Sequence, residues 1–136
     1  MILVCDTSVV YATLDAAEKH HDACVELVFA SDAVVVPAPI LVELDHLART
    51  RRVANVIDAV LASVEDGSLL VAPLDLEDYA RVRVLVSRYA DQPLSLVDAA
   101  VVAIAERLEQ TTIATLDRRH FSIVRPLHVP AFELVP

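Results

Sequence analysis

Four carboxylates occupy positions in this sequence where they could act together. Asp6 and Asp117 each follow a short apolar run, and Glu43 and Asp98 lie near the starts of helical patterns, on apolar faces. Four acids that converge repel one another unless a cation neutralises them, and oxygen-only ligands favour Mg²⁺ or Mn²⁺ over Zn²⁺. A cation held in this way can dock a phosphodiester and orient a water for its hydrolysis.

Each of these acids also has a structural interpretation. Asp6 and Asp117 could cap the helices that follow them, since Asp is a favoured N-cap residue. Ser95 and Asp98 have the spacing of a capping box. Glu43 has His46 one turn further on as a possible partner, and this Glu-x-x-His is half of a di-iron helix motif whose second copy is absent.

The elements that must position these acids alternate along the chain. Apolar runs predict strands at 2–5, 34–36, 69–71 and 112–116, with a weaker strand near 123–124 or 127–129. Helical patterns cover the stretch that ends at 29 and the ranges 40–50, 53–64, 76–89 and 95–109. This order predicts an α/β fold: a single domain over 1–136, built as a three-layer α/β/α sandwich with a short-stranded, mainly parallel central sheet. Ligand sites of such sheets lie beyond the carboxyl ends of the strands.

Charge and composition narrow the function. Eleven Lys and Arg against 20 Asp and Glu give a net charge of −9, which excludes nucleic-acid binding by phosphate neutralisation alone. Two arginine groups, 49/51/52 and 118/119, could steer RNA phosphates, although a solvated surface is the simpler interpretation of the first.

The sequence also bears on location and redox chemistry. No apolar stretch is long enough to span a membrane, and no basic leader is visible, so we expect a cytoplasmic protein. Cys5 and Cys24 match neither a zinc nor a redox spacing, and we expect both to be reduced core residues.

The sequence resembles the PIN-domain ribonucleases, and within them the VapC toxins of bacterial VapBC toxin-antitoxin systems. The resemblance covers nearly the whole chain. It is carried by Asp6-Thr7-Ser8, by Leu41-Val42-Glu43-Leu44, by the segment Pro93-Leu94-Ser95-Leu96-Val97-Asp98-Ala99-Ala100, and by Ala114-Thr115-Leu116-Asp117 with the Arg118-Arg119-His120-Phe121 that follows.

The resemblance implies that Asp6, Glu43, Asp98 and Asp117 form a catalytic acidic quartet. Asp6 and Asp98 would contact Mg²⁺ directly, with Asp117 as a further metal ligand and Glu43 completing the site, and Mn²⁺ could substitute. Thr7 or Ser8 would support the ligands or the attacking water through a hydroxyl. The implied reaction is hydrolysis of RNA to a 3′ hydroxyl and a 5′ phosphate. The implied partners are an RNA substrate, a VapB-type antitoxin and a second copy of the chain.

Two other interpretations stay open at this stage. A catalytically silent PIN fold could serve as an RNA-binding or scaffolding module, although the intact acids argue against it. A receiver or phosphatase-like domain could use Asp6 as a phosphate acceptor. That domain would need a lysine after a late strand, or paired aspartates, and the only lysine is Lys19.

Overall fold

The computed structural model describes all 136 residues, from Met1 to Pro136. Strands and helices alternate along most of the chain. The strands are β1 (Ile2–Cys5), β2 (Ala33–Pro37), β3 (Leu70–Ala72), β4 (Thr112–Ala114) and β5 (Glu133–Val135). The helices are α1 (Thr7–Leu14), α2 (His21–Ala30), α3 (Ala38–Thr50), α4 (Val56–Glu65), α5 (Leu76–Arg88), α6 (Leu96–Arg107) and α7 (Arg118–Ile123).

The five strands form one parallel sheet in the order β3-β2-β1-β4-β5. In the register of the central strands, Val4 lies opposite Val35 on one side and Ile113 on the other. The middle strand β1 is apolar throughout and buried from Leu3 onward, as expected for a parallel sheet that helices cover on both faces.

The helices cover the sheet in packed groups. Helices α1 to α4 contact one another, whereas α5 packs along α6, and α6 in turn contacts β1 and β2. A cluster of 29 buried residues joins sheet and helices. The predicted three-layer α/β/α sandwich is therefore confirmed. No helix combines the length and the apolar character that crossing a membrane requires.

Two expectations about the elements were wrong. The stretch that ends at 29 is two helices, because Asp15 accepts from the backbone N–H of Ala17 at 3.0 Å, and this local turn ends α1. The weaker strand lies at neither expected position. Ile123 ends helix α7, and the fifth strand is Glu133–Val135, where pairing with β4 rather than local propensity fixes it.

The two cysteines are buried and free, as expected. Burial, with a smaller contribution from the neighbouring Asp6 carboxylate, raises the pKa of Cys5 to about 12. Cys5 therefore remains a thiol at neutral pH and contributes to the core as a small apolar side chain.

Candidate active site

The site lies at the carboxyl edge of the central strands. Cys5 of β1 pairs with Ala114 of β4, so the next residues, Asp6 and Thr115, leave the sheet side by side. The backbone N–H of Asp6 donates to the Ala114 carbonyl at 2.9 Å, which continues the sheet by one further bond. This is the edge at which parallel sheets place their ligands.

Asp6 is a buried carboxylate that does not cap a helix. It is 6% exposed, and although it occupies the N-cap position of α1, its side chain makes no capping hydrogen bond. Its Oδ2 instead accepts from the hydroxyl of Thr115 at 3.0 Å and from that of Ser8 at 3.4 Å. No basic side chain forms an ion pair with it. The capping interpretation of Asp6 is therefore wrong, and no basic side chain neutralises its charge.

Neighbouring acids act on Asp6. Its pKa is raised from 3.8 to about 6, first by burial and further by the charges of Asp98 and Glu43, while hydrogen bonds from Thr7 and Thr115 oppose the rise. The structure therefore brings three of the four predicted acids close enough to interact. The residues come from a strand end and from two helices that are far apart in sequence.

Glu43 faces this edge from α3. It is an exposed residue whose Oε1 accepts from the hydroxyl of Thr7 at 2.5 Å. Thr7 is itself buried at the start of α1, so the bond links α1 to α3 beside Asp6. The expected partnership with His46 is wrong, because His46 is exposed and makes no hydrogen bond or ion pair with Glu43.

Asp98 combines a structural bond with a place at the site. It forms both halves of a capping box with Ser95, as the spacing predicted. Its Oδ2 also lies 2.9 Å from Nδ1 of His120 in α7, and both side chains are largely buried. Oδ1 of Asp98 has no partner in the protein. Sequence reasoning did not identify His120 as a site residue, although His120 lies three residues after Asp117 in a segment that carries the resemblance.

Asp117 has a different environment from the other acids. It is the N-cap residue of α7, as its capping interpretation predicted, and its carboxylate lies 3.2 Å from both Nε and Nη2 of Arg119. The hydrogen bonds from Arg119 hold its pKa below the usual range. The repulsion predicted among converging acids contributes, after burial, to the raised pKa of Asp6, whereas the pKa of Asp117 is lowered, against that expectation.

Thr115 connects these acids and was missed at the sequence level. It is fully buried, its hydroxyl donates to Asp6, and its oxygen accepts from the backbone N–H of Asp117 at 3.1 Å. Ser8 makes a parallel link, since its Oγ accepts from the Leu116 N–H at 2.9 Å. The signal in the sequence that could have identified Thr115 is its position in the segment that ends at Asp117 and carries the resemblance.

The donors fit a hard cation in type, but the side chains do not form a closed metal site. All four predicted ligands offer carboxylate oxygen, which Mg²⁺ prefers. The uncompensated charge at Asp6 is what such a cation would neutralise. No group of three or more His, Cys, Asp or Glu side chains is arranged to hold a metal ion. In this structure a hydroxyl, an imidazole or a guanidinium contacts each of the four carboxylates.

The first arginine group lies at the other end of α3 from this edge. Arg49 pairs with Asp45, and Arg51 pairs with Glu18 while lying over the ring of Tyr11. The Arg49 pair lies within α3, whereas Arg51 links the end of α3 to α1 and to the segment that follows it. The surface interpretation of this group is therefore favoured.

Comparisons with known proteins identify the family of the chain. The PIN-domain family model matches residues 3–125. Ribonuclease VapC26 of Mycobacterium tuberculosis is 38% identical over 135 residues, which cover 98% of this chain and all of that protein.

Solved structures show the same fold. Mycobacterium tuberculosis VapC20, a toxin described as cleaving the sarcin-ricin loop, matches with a TM-score of 0.79 at 20% identity, over 94% of this chain and 98% of that one. VapBC2 from Rickettsia felis, solved on a DNA fragment from its promoter, matches with a TM-score of 0.70 at 13% identity over the whole of both chains. A toxin-antitoxin complex from Klebsiella pneumoniae gives a TM-score of 0.67 at 14% identity, over 96% of this chain and 99% of that one. With the acids of its sheet edge and a family match over most of its length, the chain belongs to the PIN-domain family and is a relative of the VapC ribonucleases.

Proposed function

We propose that this protein is a Mg²⁺-dependent endoribonuclease that hydrolyses RNA phosphodiesters at the site formed by Asp6, Glu43, Asp98 and Asp117. The observation that carries the proposal is the state of Asp6: it is buried without a basic partner, and burial, with a smaller contribution from the charges of Asp98 and Glu43, raises its pKa to about 6. A protein keeps such a costly arrangement where a cation compensates it during function. The relative named ribonuclease VapC26 supports the choice of RNA.

In this proposal Asp6 and Asp98 hold the metal ion, and Asp117 is a further ligand. Bound Mg²⁺, or Mn²⁺ in its place, would supply the positive charge that docks a phosphodiester and offsets the charge that develops on it. Asp98 is prepared for this because Ser95 and His120 contact its Oδ2, while Oδ1 has no partner. To bind the metal ion, Asp117 would have to break its hydrogen bonds to Arg119. Among the three proposed ligands, Asp117 is therefore the one whose binding requires the loss of an existing ion pair.

Glu43 is the acid placed to take a proton from the attacking water. Its Oε1 is held by Thr7, and its Oε2 has no partner in the protein. The reaction consumes one water, whose oxygen bonds to phosphorus while the bond from phosphorus to the 3′ oxygen breaks. The products are a 3′ hydroxyl and a 5′ phosphate. Thr7 and Ser8 support this chemistry by fixing Glu43 and the turn that carries Asp117.

We further propose that the nuclease is the toxin of a toxin-antitoxin pair in the cytoplasm, acting as a homodimer and inhibited by a VapB-type antitoxin. The support is the fold shared with VapBC2 and with the toxin-antitoxin complex from Klebsiella pneumoniae. Most apolar side chains of 40–47 and 53–61 are buried or partly buried. Val42 and Leu61 are the large ones that remain exposed for a partner.

The experiment for the nuclease uses purified protein, total cellular RNA and Mg²⁺, with new RNA ends mapped by sequencing. Asp98→Asn is the decisive variant, because Asn still accepts the capping bond from Ser95 while losing the charge. Asp58→Asn, at an exposed acid on α4, is the matched control for removing one negative charge. Discrete cuts that disappear with EDTA and in Asp98→Asn, but persist in Asp58→Asn, are expected.

Other outcomes decide against the proposal. Cuts that survive in Asp98→Asn would make the role of that residue structural. The absence of cuts under any condition would favour the silent RNA-binding module instead. The toxin role has its own readout: expression without an antitoxin should arrest growth, and expression of Asp6→Asn at an equal level should not. Equal arrest by both proteins would separate toxicity from this site.

A further inference from the structure

The basic side chains divide into those that are neutralised and those that are not. Five of the eleven form ion pairs with carboxylates: Arg49, Arg51, Arg81, Arg107 and Arg119. Of the other six, Arg118 donates to an oxygen of Pro136. The remaining five form no ion pair with a carboxylate: Lys19, Arg52, Arg83, Arg88 and Arg125. In a chain with a net charge of −9, these five are the cations available to an anionic ligand.

Arg88 lies at the same end of the molecule as the acidic site. It is the last residue of α5, and seven residues connect it to α6, whose first turn carries Asp98. Because α5 packs along α6 after this short connection, the end of α5 and the start of α6 lie together. Arg88 is exposed there.

Arg125 lies next to Tyr89, the residue that follows Arg88 in the chain. The backbone N–H of Arg125 donates to the hydroxyl of Tyr89 at 2.9 Å, and the ring of Tyr89 packs against the core. Arg125 follows helix α7, which begins directly after Asp117. This hydrogen bond therefore places the residue that follows α5 next to the segment that follows α7.

No acid lines the depression next to Arg88, although Asp91 is exposed in the turn that follows α5. A shallow depression of about 570 Å³ on α5 is lined by Ala80, Arg83, Val84, Ser87 and Arg88. Arg83, Arg88 and Arg125 are called the basic surface below. The lining of this depression offers Arg83, Arg88 and the hydroxyl of Ser87 and contains no carboxylate. It suits an anion, because each of these groups can donate to a phosphate oxygen without competition from an acid of the lining.

We propose that the basic surface binds the phosphates of the RNA strand on one side of the scissile bond, with Arg88 and Arg125 as the principal contacts. The inference rests on the proposed nuclease function and adds the direction in which the substrate leaves the acidic site. A strand that approaches four carboxylates is repelled by them, so cations on the adjoining surface hold it in place. These residues position substrate and take no part in the chemistry.

The test measures binding separately from cleavage. Arg88→Gln, Arg125→Gln and their combination are made in the Asp98→Asn background, so that RNA is bound and not consumed. The probe is a fluorescein-labelled, mixed-sequence, single-stranded RNA of 20 nucleotides, titrated by anisotropy over a range of salt concentrations. Arg52→Gln is the matched control, because Arg52 is also exposed and unpaired but follows α3 at the end away from the site.

Counterion release sets the expected size. The salt slope is the slope of the logarithm of the binding constant against the logarithm of the salt concentration. Each lost phosphate contact reduces the magnitude of this slope by about 0.7 and the affinity at 0.1 M salt about fivefold. The double variant should therefore bind the probe about 25-fold more weakly. Arg52→Gln should stay within about twofold. In a protein that retains Asp98, the double substitution should raise KM and leave kcat nearly unchanged.

Four results would overturn the inference. Three are an equal loss in the double variant and in Arg52→Gln, an unchanged salt dependence of binding, and a change in oligomeric state by light scattering that accounts for the loss. The fourth is undetectable binding of the probe by the Asp98→Asn protein with all its arginines intact. A protein with all four acids intact that binds RNA through these arginines but cuts none would refute the nuclease proposal alone.

Discussion

Replacing Asp6 with Asn should make the protein more stable and inactive at the same time. Asn keeps an oxygen that accepts from Thr115 and removes a charge that is buried near Glu43 and Asp98. A pKa that rises from 3.8 to about 6 on folding corresponds to roughly 3 kcal/mol of unfavourable free energy in the folded state above pH 6. Active sites often carry such a cost, and substitutions that remove it stabilise the fold.

The pH dependence follows from the sign of the shift. Below pH 3.8 both folded and unfolded chains hold the Asp6 proton, so the group contributes nothing. Between pH 3.8 and about 6 the folded chain keeps a proton that the unfolded chain has released, and stability falls as pH rises. Above pH 6 the cost is constant. The gain from Asp6→Asn should therefore be about 3 kcal/mol at pH 8 and roughly half of that at pH 5.

The assay is urea unfolding in EDTA at pH 5 and pH 8, at one fixed protein concentration. Asp58→Asn is the control that removes an equal charge from an exposed position. Added Mg²⁺ should stabilise the parent protein and have a smaller effect on Asp6→Asn, since a ligand of the folded state stabilises it only as far as it binds. A gain that is independent of pH, or a loss of stability in Asp6→Asn, would refute the buried-charge argument.

Two further substitutions test the framework around the site. Thr115→Val keeps the shape of a fully buried side chain but removes the donor to Asp6, and it should cost about 1 to 3 kcal/mol in urea unfolding; an unchanged midpoint would show that this bond contributes nothing. Glu106→Gln breaks the buried bidentate pair with Arg81 between α5 and α6 and should cost roughly 3 kcal/mol. Asp45→Asn, at an exposed pair, should cost less than about 1 kcal/mol, and equal losses in the two variants would contradict the role of burial.

Much of the fold follows from local patterns. The four strongest apolar runs all became strands, because short runs rich in Val, Ile and Leu between helical patterns suit a buried parallel sheet. The fifth strand did not follow such a pattern. Glu133–Val135 is identified only by its pairing with β4, a long-range contact that no local window contains.

The candidate site was partly predictable for a related reason. Asp6 follows a strand, and Asp98 lies in a capping box, so local spacing identifies both. Two of the acids have partners from other elements, Thr7 for Glu43 and His120 for Asp98, whereas Asp117 pairs locally with Arg119, two residues further on. Helical spacing made His46 a candidate partner for Glu43, but Glu43 accepts from the hydroxyl of Thr7 in α1 instead.

The sequence by itself determined the alternation of strands and helices, the edge at which the acids leave the sheet, and the net negative charge. These depend on residue type and on neighbours within a few positions. Only the tertiary structure decided that Asp6 is buried without a basic partner, that Glu43 bonds to Thr7 and Asp98 to His120, and that Arg125 donates to Tyr89. The physical reason is that burial and charge pairing are properties of segments brought together by folding, and the sheet order that brings them together is set by the whole chain.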